Sequence, residues 1–117
     1  SVKVDEISFG TVKLTNHYAI ADTGTSYLGI PTFAANTFFA DPAFAKCSND
    51  YGMRTCDCDG SYPDLDYTIE GVTYSFNWSD YSIPMSGTSC MAAIIEVPLE
   101  DELFILGDIF LRKVVAV

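Results

Sequence analysis

Short runs of alternating hydrophobic and polar residues recur along the chain, separated by turns that contain glycine or proline. One alternating stretch turns at Gly10, and a second, residues 65–76, turns at Gly71. A period of two is typical of half-buried β-strands, so each stretch predicts an antiparallel hairpin. Residues 92–97 and 103–106 are apolar with one exception, which predicts strands that are buried on both faces.

Three segments depart from this pattern. Residues 33–39 carry apolar side chains at helical spacing and precede a proline at position 42, which predicts a short helix. Residues 46–66 hold three cysteines, two glycines and many aspartates, and they predict an irregular loop pinned by disulfides. Residues 109–117 are apolar at seven of nine positions. We expect them to form an apolar strand edge without a partner in this chain.

These elements predict an all-β domain with one or two short helices. A length of 117 residues fits one domain, and a hydrophobic fraction of 49% is too high for a disordered chain. No apolar stretch approaches the roughly 18 residues of a membrane span. Residue 1 already falls in a strand-like pattern. We therefore expect any targeting segment to have been removed or to belong to a longer precursor.

Charge narrows the classes of partner. Sixteen acidic residues against six basic ones give a formal net charge of −10. This excess of carboxylates disfavours nucleic acids and anionic membranes as partners. Repulsion between carboxylates weakens at low pH, where they become protonated, so the composition also fits an acidic compartment.

The cysteines are Cys47, Cys56, Cys58 and Cys90, and four cysteines allow three complete pairings that sequence cannot distinguish. Two structural disulfides in an oxidising compartment are the expected outcome. A zinc site is the alternative, but the C-x-C spacing of Cys56 and Cys58 differs from the C-x₂₋₄-C of most zinc sites. Asn77 begins an Asn-Trp-Ser sequon, a predicted N-glycosylation site that also indicates the secretory route.

The strongest candidate for chemistry is Asp22, which follows the apolar run 18–21 and opens the sequence Asp-Thr-Gly-Thr-Ser. Aspartate and glycine are common turn residues, so the tripeptide alone carries little weight. Its position behind a buried strand is more informative, and so is a second apolar strand, residues 104–106, that leads into Gly107-Asp108. Together these segments resemble the active-site loop and the matching apolar-apolar-Gly strand in the C-terminal lobe of pepsin-like aspartic proteases.

The resemblance covers nearly the whole chain, residues 1–117. Residues 63–72 resemble the family's Pro-Asp hairpin, and residues 106–112 resemble the segment that leads into its last strands. The resemblance implies an all-β C-terminal lobe. The N-terminal lobe, the flap hairpin and the last strands of the family would lie outside this sequence.

The resemblance also implies a disulfide pairing. Cys56 and Cys90 fall where the family's C-lobe disulfide would lie, which by subtraction leaves Cys47 to pair with Cys58. A closed loop of the length between Cys56 and Cys90 should stabilise the fold by roughly 3–4 kcal/mol in the chain-entropy model.

In this family two aspartates share one proton and activate a water molecule that attacks the peptide bond, without a covalent intermediate. The resemblance implies that Asp22 is one of these aspartates and that the N-terminal lobe supplies the other. The resemblance also implies that Thr23 forms a hydrogen bond to the opposite lobe and that Gly24 keeps the turn tight with its N–H available. It implies that the Thr25 hydroxyl bonds the outer carboxylate oxygen of Asp22.

Substrate contacts are implied beside these residues. Ile20 and Ile105 flank the two motif segments and are expected to form apolar walls of substrate subsites, with Thr25 next to them. Core packing is the alternative for both isoleucines. Asp108 is expected near Thr25, where it would help to set the acidic pH range.

The sequence lacks the residues that other kinds of catalytic site and metal site require. His17 is the only histidine, and a surface or strand-end position is expected for it. Ser26 lies in Gly-Thr-Ser-Tyr-Leu, which lacks the last glycine of the G-x-S-x-G elbow. The aspartates of residues 57–66 lack the order of an EF-hand calcium loop. No metal ion or cofactor is therefore expected.

The sequence thus predicts half of an aspartic endopeptidase that acts at acid pH. Its expected partners are the N-terminal lobe, from the same precursor or a second chain, and protein or peptide substrates. Its expected location is secreted, lysosomal or vacuolar. The alternatives are a non-catalytic protease-like lobe for binding or assembly, and a symmetric homodimer with one Asp22 from each chain. The homodimer ranks last because the chain has no evident flap.

Overall fold

The computed structural model describes residues 1–98 and 102–115. Within these ranges the chain forms eleven β-strands, three short α-helices and one 3₁₀ turn. The strands are β1 (Val2–Phe9), β2 (Val12–Ala21), β3 (Leu28–Ile30), β4 (Ser48–Asp50), β5 (Met53–Asp57), β6 (Leu65–Ile69), β7 (Val72–Phe76), β8 (Ser82–Pro84), β9 (Ser89–Ala92), β10 (Ile94–Glu96) and β11 (Phe104–Leu106). The helices are α1 (Thr32–Phe38), α2 (Trp78–Tyr81) and α3 (Asp108–Val115), and the 3₁₀ turn is Pro42–Phe44. The all-β class is confirmed, with three helices where one or two were predicted.

Two sheets carry the fold. The larger sheet has the strand order β10-β3-β11-β2-β1-β6-β7, and the smaller has the order β4-β5-β9-β8. In the larger sheet β11 lies between β2 and β3, parallel to β2 and antiparallel to β3. A strand from late in the chain therefore separates two strands that are close in sequence, and its last residue, Leu106, accepts the backbone N–H of Asp22.

The first hairpin, β1–β2, follows its alternating pattern with one irregularity. It turns at Gly10, where φ is 61°, as predicted. Asn16 also has a positive φ, 59°, and the inward-facing positions of β2 change there from even-numbered to odd-numbered residues. Leu14 is partly buried before this point and Ala19 is fully buried after it. The change explains why the hydrophobic alternation in this part of the sequence is imperfect.

The predicted helix and second hairpin are also confirmed, as α1 and β6–β7. Phe38 of α1 joins an aromatic cluster around Phe9, whose ring lies 5.0 Å from that of Phe38 and 5.6 Å from that of Phe44. Tyr81 completes the cluster, and its hydroxyl donates to the carbonyl of Pro63 at 2.7 Å. Buried aromatic rings of this kind contribute large apolar areas to a core, so the cluster fastens α1 and α2 to the β1–β2 hairpin.

The expectation of an apolar strand edge over residues 109–117 is wrong for the part described. Residues 108–115 form α3, and Phe110 packs 5.4 Å from Tyr67 and 5.6 Å from Phe76. Rings from β6 and β7 bury one face of the segment, and this contact selects a helix from an apolar run that periodicity alone leaves ambiguous. The Tyr67 hydroxyl is buried with no hydrogen-bond partner among the described residues. Burial raises its pKa, so it stays protonated.

The cysteine-rich segment also has more structure than predicted. Residues 46–66 were expected to form an irregular loop, but they contain the hairpin β4–β5. Tyr51 and Gly52 connect its strands, and both have positive φ, 56° and 84°. Two such residues are typical of the tight turns whose twist matches a hairpin.

The disulfide pairing differs from the one that the family resemblance implies. The bonds join Cys47 to Cys56 and Cys58 to Cys90, with Cα–Cα distances of 4.5 and 5.0 Å. The register of β4–β5 places Cys47 opposite Cys56, and the register of β5–β9 places Cys90 opposite Cys56 as well. Cys56 bonds Cys47, while Cys58, which follows β5, bonds Cys90. Sequence separations of 9 and 32 correspond to roughly 2.6 and roughly 3.7 kcal/mol of chain-entropy stabilisation.

β11 leads into Gly107, where two chain segments come into close contact. A Cβ atom at Gly107 would overlap the carbonyl oxygen of Tyr27 and lie 2.5 Å from that of Thr25. The next residue, Asp108, donates its backbone N–H to the same Thr25 carbonyl at 2.6 Å. Glycine is therefore required for this close approach, which holds the segment after Asp22 against the end of β11.

Two further sequence predictions concern loops and membranes. The acidic segment 98–102, for which the sequence predicts an exposed loop, falls largely on residues 99–101, which lie outside the described ranges. None of the helices described is both long and apolar enough to cross a membrane.

Replacing Gly107 with alanine should lower the free energy of unfolding by roughly 1–3 kcal/mol, the usual cost of forcing a methyl group into a packed site. The displaced backbone should also change the amide NMR shifts of residues 25–28. Gly71→Ala is the control, because its positive φ of 80° imposes strain while no atom lies within 4 Å of the added Cβ. Unchanged shifts at residues 25–28 in the Gly107 variant would contradict the close approach.

Mass spectrometry of non-reduced peptides should verify the disulfide pairing. Cleavage on the amino side of Asp57 separates Cys56 from Cys58. We expect Cys56 in a peptide joined to Cys47, and Cys58 in a peptide joined to Cys90. A peptide that joins Cys56 to Cys90 would instead support the pairing implied by the family.

Candidate active site

Asp22 is positioned by two strands that lie far apart in sequence. It follows the last residue of β2, and β11 runs beside β2 with Ile105 opposite Ile20. The backbone N–H of Asp22 donates to the carbonyl of Leu106 at 3.1 Å. The aspartate therefore leaves the sheet at a fixed point, and its side chain begins from backbone that the sheet holds in place.

Two donors from the following turn hold the Asp22 carboxylate. The Thr25 hydroxyl donates to Oδ2 at 2.7 Å, and the Gly24 N–H donates to Oδ1 at 2.9 Å. The Thr25 bond, followed by the Gly24 bond, lowers the pKa of Asp22 below its ordinary value and outweighs the opposing effect of desolvation. Asp22 as a whole is partly exposed.

The turn itself is short and partly open to solvent. The Thr25 N–H donates to the Asp22 carbonyl at 3.3 Å, which closes the turn. A Cβ atom on Gly24 would lie 3.3 Å from Asp22 Oδ1, so glycine lets the backbone N–H approach the carboxylate closely. Thr23 and Gly24 at the tip are exposed. The Gly24 N–H and the Thr25 hydroxyl therefore both bond the carboxylate, while the tip remains accessible.

An exposed apolar ledge, formed by Tyr18, Ile20 and Ile105, leads to this turn. Tyr18 is 51% exposed and Ile20 is 39% exposed, and both precede Asp22 at the two-residue spacing of one strand face. Ile105 is partly buried beside Ile20 on the adjacent strand. Of the two alternatives for these isoleucines, full burial in the core does not apply. Grouped exposed apolar side chains of this kind are typical of binding surfaces.

Asp108 lies close to the site. It contacts the turn through its backbone, and its carboxylate forms an ion pair with Arg112 at 3.0 Å.

His17 is a partly exposed residue within β2 and does not lie at the end of that strand. Its ring packs 5.3 Å from that of Phe33 and 5.6 Å from that of Phe104.

Two of the aspartates in residues 57–66 accept hydrogen bonds from nearby residues of their own turn or hairpin. Asp57 accepts the backbone N–H of Asp59 at 3.0 Å, and Asp66 accepts the hydroxyl of Ser75. In the part of the chain that the structure describes, no group of three or more His, Cys, Asp or Glu side chains is arranged to hold a metal ion. Among the described residues, the hydrogen-bond donors to the Asp22 carboxylate are the Gly24 N–H and the Thr25 hydroxyl of its own turn.

Tyr18 and the steric role of Gly107 are not evident from the sequence pattern. Tyr18 belongs to an apolar run that predicts burial, yet its side chain is exposed. The available signal is its even spacing from Ile20 and Asp22, which places the three on one strand face. Gly107 resembles any strand-ending glycine in sequence, and its contact with the Asp22 turn depends on β11 lying beside β2.

The sequence matches a family model over its whole length and known proteins over most of it. A family model described as eukaryotic aspartyl protease matches residues 1–117. A probable vacuolar protease A of Trichophyton verrucosum is 35% identical over 119 residues, covering 96% of this chain and 29% of its own. Plasmepsin IV of Plasmodium falciparum is 34% identical over 112 residues, covering 92% and 25%. Pepsin A of Sus scrofa is 38% identical over 98 residues, covering 81% and 25%.

The chain thus spans less than a third of the length of each of these relatives. The family match includes both segments that form the site, the turn after β2 and the glycine after β11. The two curled sheets and short helices agree with it. This chain belongs to the eukaryotic aspartyl protease family, and its fold is that of a pepsin-like lobe.

Proposed function

We propose that this chain is the C-terminal lobe of an aspartic endopeptidase and supplies Asp22 as one of two catalytic carboxylates. The observation that carries the proposal is the geometry at Asp22, a carboxylate held by two donors at the end of a sheet-anchored strand. The N-terminal lobe of the same protein, in one chain or as a second one, would supply the other carboxylate. The family's last strands would come from sequence beyond residue 117.

Peptide hydrolysis by this site needs one proton shared between two carboxylates. Like charges a few ångströms apart cannot both ionise, so one aspartate holds the proton while the other acts as the base. The base removes a proton from a bound water molecule, whose oxygen attacks the peptide carbonyl. The protonated aspartate donates to the carbonyl oxygen. The Thr25 and Gly24 bonds favour the ionised form of Asp22, which supports a role as the base.

The exposed surface around Asp22 has the features that the two-lobed arrangement requires. Thr23, at the open tip of the turn, would hydrogen-bond the opposite lobe and keep the two carboxylates at a fixed distance. Ile20 and Ile105 of the apolar ledge would form walls of substrate subsites, and Thr25 would lie beside the bound peptide. Tyr18 extends the ledge away from Asp22. The substrate class is proteins or peptides, bound across both lobes.

The cellular setting follows from independent features. Two disulfides indicate an oxidising compartment. Vacuolar protease A and pepsin A are among the relatives. We place the protein in a vacuolar, lysosomal or secreted location, where the low pH would keep one of the two catalytic carboxylates protonated. A non-catalytic lobe for binding or assembly is the competing function, and the following substitution distinguishes the two.

Asp22→Asn in the assembled two-lobed protein should lower kcat/KM for a peptide substrate by about 10²–10⁴-fold or more, the usual contribution of a general base. The unfolding midpoint should change little, because the side chain is only half-buried. Asp59→Asn is the matched control, since it makes the same isosteric change at an exposed carboxylate far along the chain. Equal activity of the Asp22 variant and wild type would exclude the catalytic proposal and favour the non-catalytic one.

Thr25→Val should raise the pKa of Asp22, because it removes the hydroxyl bond that contributes most to lowering it. A lowered pKa in the folded state adds stability that is present above the unfolded-state pKa and is lost as the pH falls through the folded-state value. The variant should therefore lose this contribution, and the acidic limb of its kcat/KM profile should move to higher pH. Carbon-13 NMR titration of the Asp22 carboxyl measures the pKa directly.

Thr25→Ser keeps the hydroxyl and serves as the control for that titration. Its Asp22 pKa should stay close to the wild-type value. If the valine variant also titrates like the wild type, the Thr25 bond does not set the ionisation of Asp22.

A further inference from the structure

The sequence contains one N-x-[ST] sequon, at residues 77–79, and the structure shows how its acceptor side chain is used. Asn77 is the residue before α2, which follows β7. Asn77 Oδ1 accepts the backbone N–H of Asp80 at 3.0 Å and the hydroxyl of Ser79 at 2.7 Å. In return, Asp80 Oδ2 accepts the backbone N–H of Asn77 at 3.0 Å. All of these bonds use the side-chain oxygen or the backbone of Asn77.

The side-chain nitrogen of Asn77 has no such role. Nδ2 makes no hydrogen bond within the described residues, and the side chain is exposed. N-glycosylation joins a sugar to this nitrogen and leaves the amide oxygen in place as an acceptor. The capping bonds of α2 and a glycan on Asn77 are therefore compatible in the same folded molecule.

The middle residue of the sequon is directed away from the acceptor. The Trp78 indole N–H donates to the carbonyl of Cys58 at 2.9 Å, and its ring packs 4.1 Å from that of Tyr62. The bulky side chain is thus held against the cysteine-rich segment, while Asn77 and Ser79 on either side are exposed. A glycan would extend from this surface into solvent.

Asp80 connects the turn that carries Asn77 to α3. Lys113 of α3 donates to Asp80 Oδ2 at 3.0 Å. Burial alone would raise the pKa of Asp80, but the bonds from Asn77 and Lys113 outweigh it and hold this pKa below its ordinary value. The turn that carries Asn77 is therefore tied to a second element through an ionised side chain.

We propose that Asn77 is N-glycosylated. The sugar donor is an oligosaccharide linked to a polyprenyl pyrophosphate. The bond between C1 of its first N-acetylglucosamine and the pyrophosphate oxygen breaks, and a bond from Asn77 Nδ2 to C1 forms. Nδ2 loses one proton to the transferase, the lipid pyrophosphate leaves with the electron pair, and nothing is oxidised or reduced. Two disulfides independently indicate the compartment in which this transfer occurs.

The test is glycopeptide mass spectrometry on the full precursor that contains this chain, expressed in a eukaryotic secretory host. Cleavage before Asp66 and Asp80 releases residues 66–79, which contain no cysteine and no asparagine other than Asn77. We expect this peptide to carry an N-acetylglucosamine-based glycan. Enzymatic removal in heavy-oxygen water should label position 77.

Two substitutions at Ser79 provide matched controls. Ser79→Ala removes the sequon and should leave residues 66–79 unmodified, while Ser79→Thr keeps it and should remain glycosylated. Asn77→Asp removes the acceptor nitrogen but keeps an oxygen that can cap α2. The unfolding temperature of Asn77→Asp should be close to that of the unglycosylated wild type, whereas the unfolding temperature of Asn77→Ala should be lower.

The glycopeptide measurement is made on wild-type protein in which both disulfides have formed, because those molecules have passed through the oxidising compartment. An unmodified peptide in that material would overturn the proposal. Modification of Ser79→Ala to the same extent as wild type would overturn it as well, since the sugar would then not depend on the sequon. Neither result bears on whether Asp22 is catalytic.

Discussion

The close approach at Gly107 is the contact on which the rest of the site depends. It lets β11 end directly against the turn after Asp22, with the Asp108 N–H bonded to the Thr25 carbonyl and the Asp22 N–H bonded to the Leu106 carbonyl. Any side chain at this position would force the two backbones apart. The turn would then lose its alignment with the sheet, and the Thr25 hydroxyl would no longer be held near the carboxylate.

The ionisation of Asp22 follows from that alignment. Its two donors come from the turn, and their positions depend on a backbone that the sheet holds in place. An isolated lobe of this kind stabilises an ionised carboxylate, whereas aspartic protease chemistry needs a shared proton. In our proposal, the partner lobe contributes a second carboxylate and thereby changes the titration of the pair. The division of the site between two lobes is therefore part of how the acid-pH chemistry would arise.

Packing contacts and disulfides hold the helices and the smaller sheet of the lobe in place. Aromatic clusters around Phe9 and Phe110 fasten the helices to the larger sheet. The two disulfides hold the smaller sheet, and Trp78 connects the Asn77 turn to the same region through the Cys58 carbonyl. These contacts hold the turn that carries Asn77 in place.

The sequence by itself determined the all-β class and two of the hairpins, because these depend on local pattern. Alternation predicted both β1–β2 and β6–β7, and the Asp-Thr-Gly-Thr-Ser turn after an apolar run, through its resemblance to a known family, made Asp22 the candidate for catalysis. The tertiary structure decided the rest. Residues 108–115 became helical because rings on β6 and β7 cover Phe110. Cys58 bonds Cys90 because Cys56, although it lies level with Cys90 in the sheet, is bonded to Cys47. Such contacts join residues distant in sequence, and local periodicity carries no information about them.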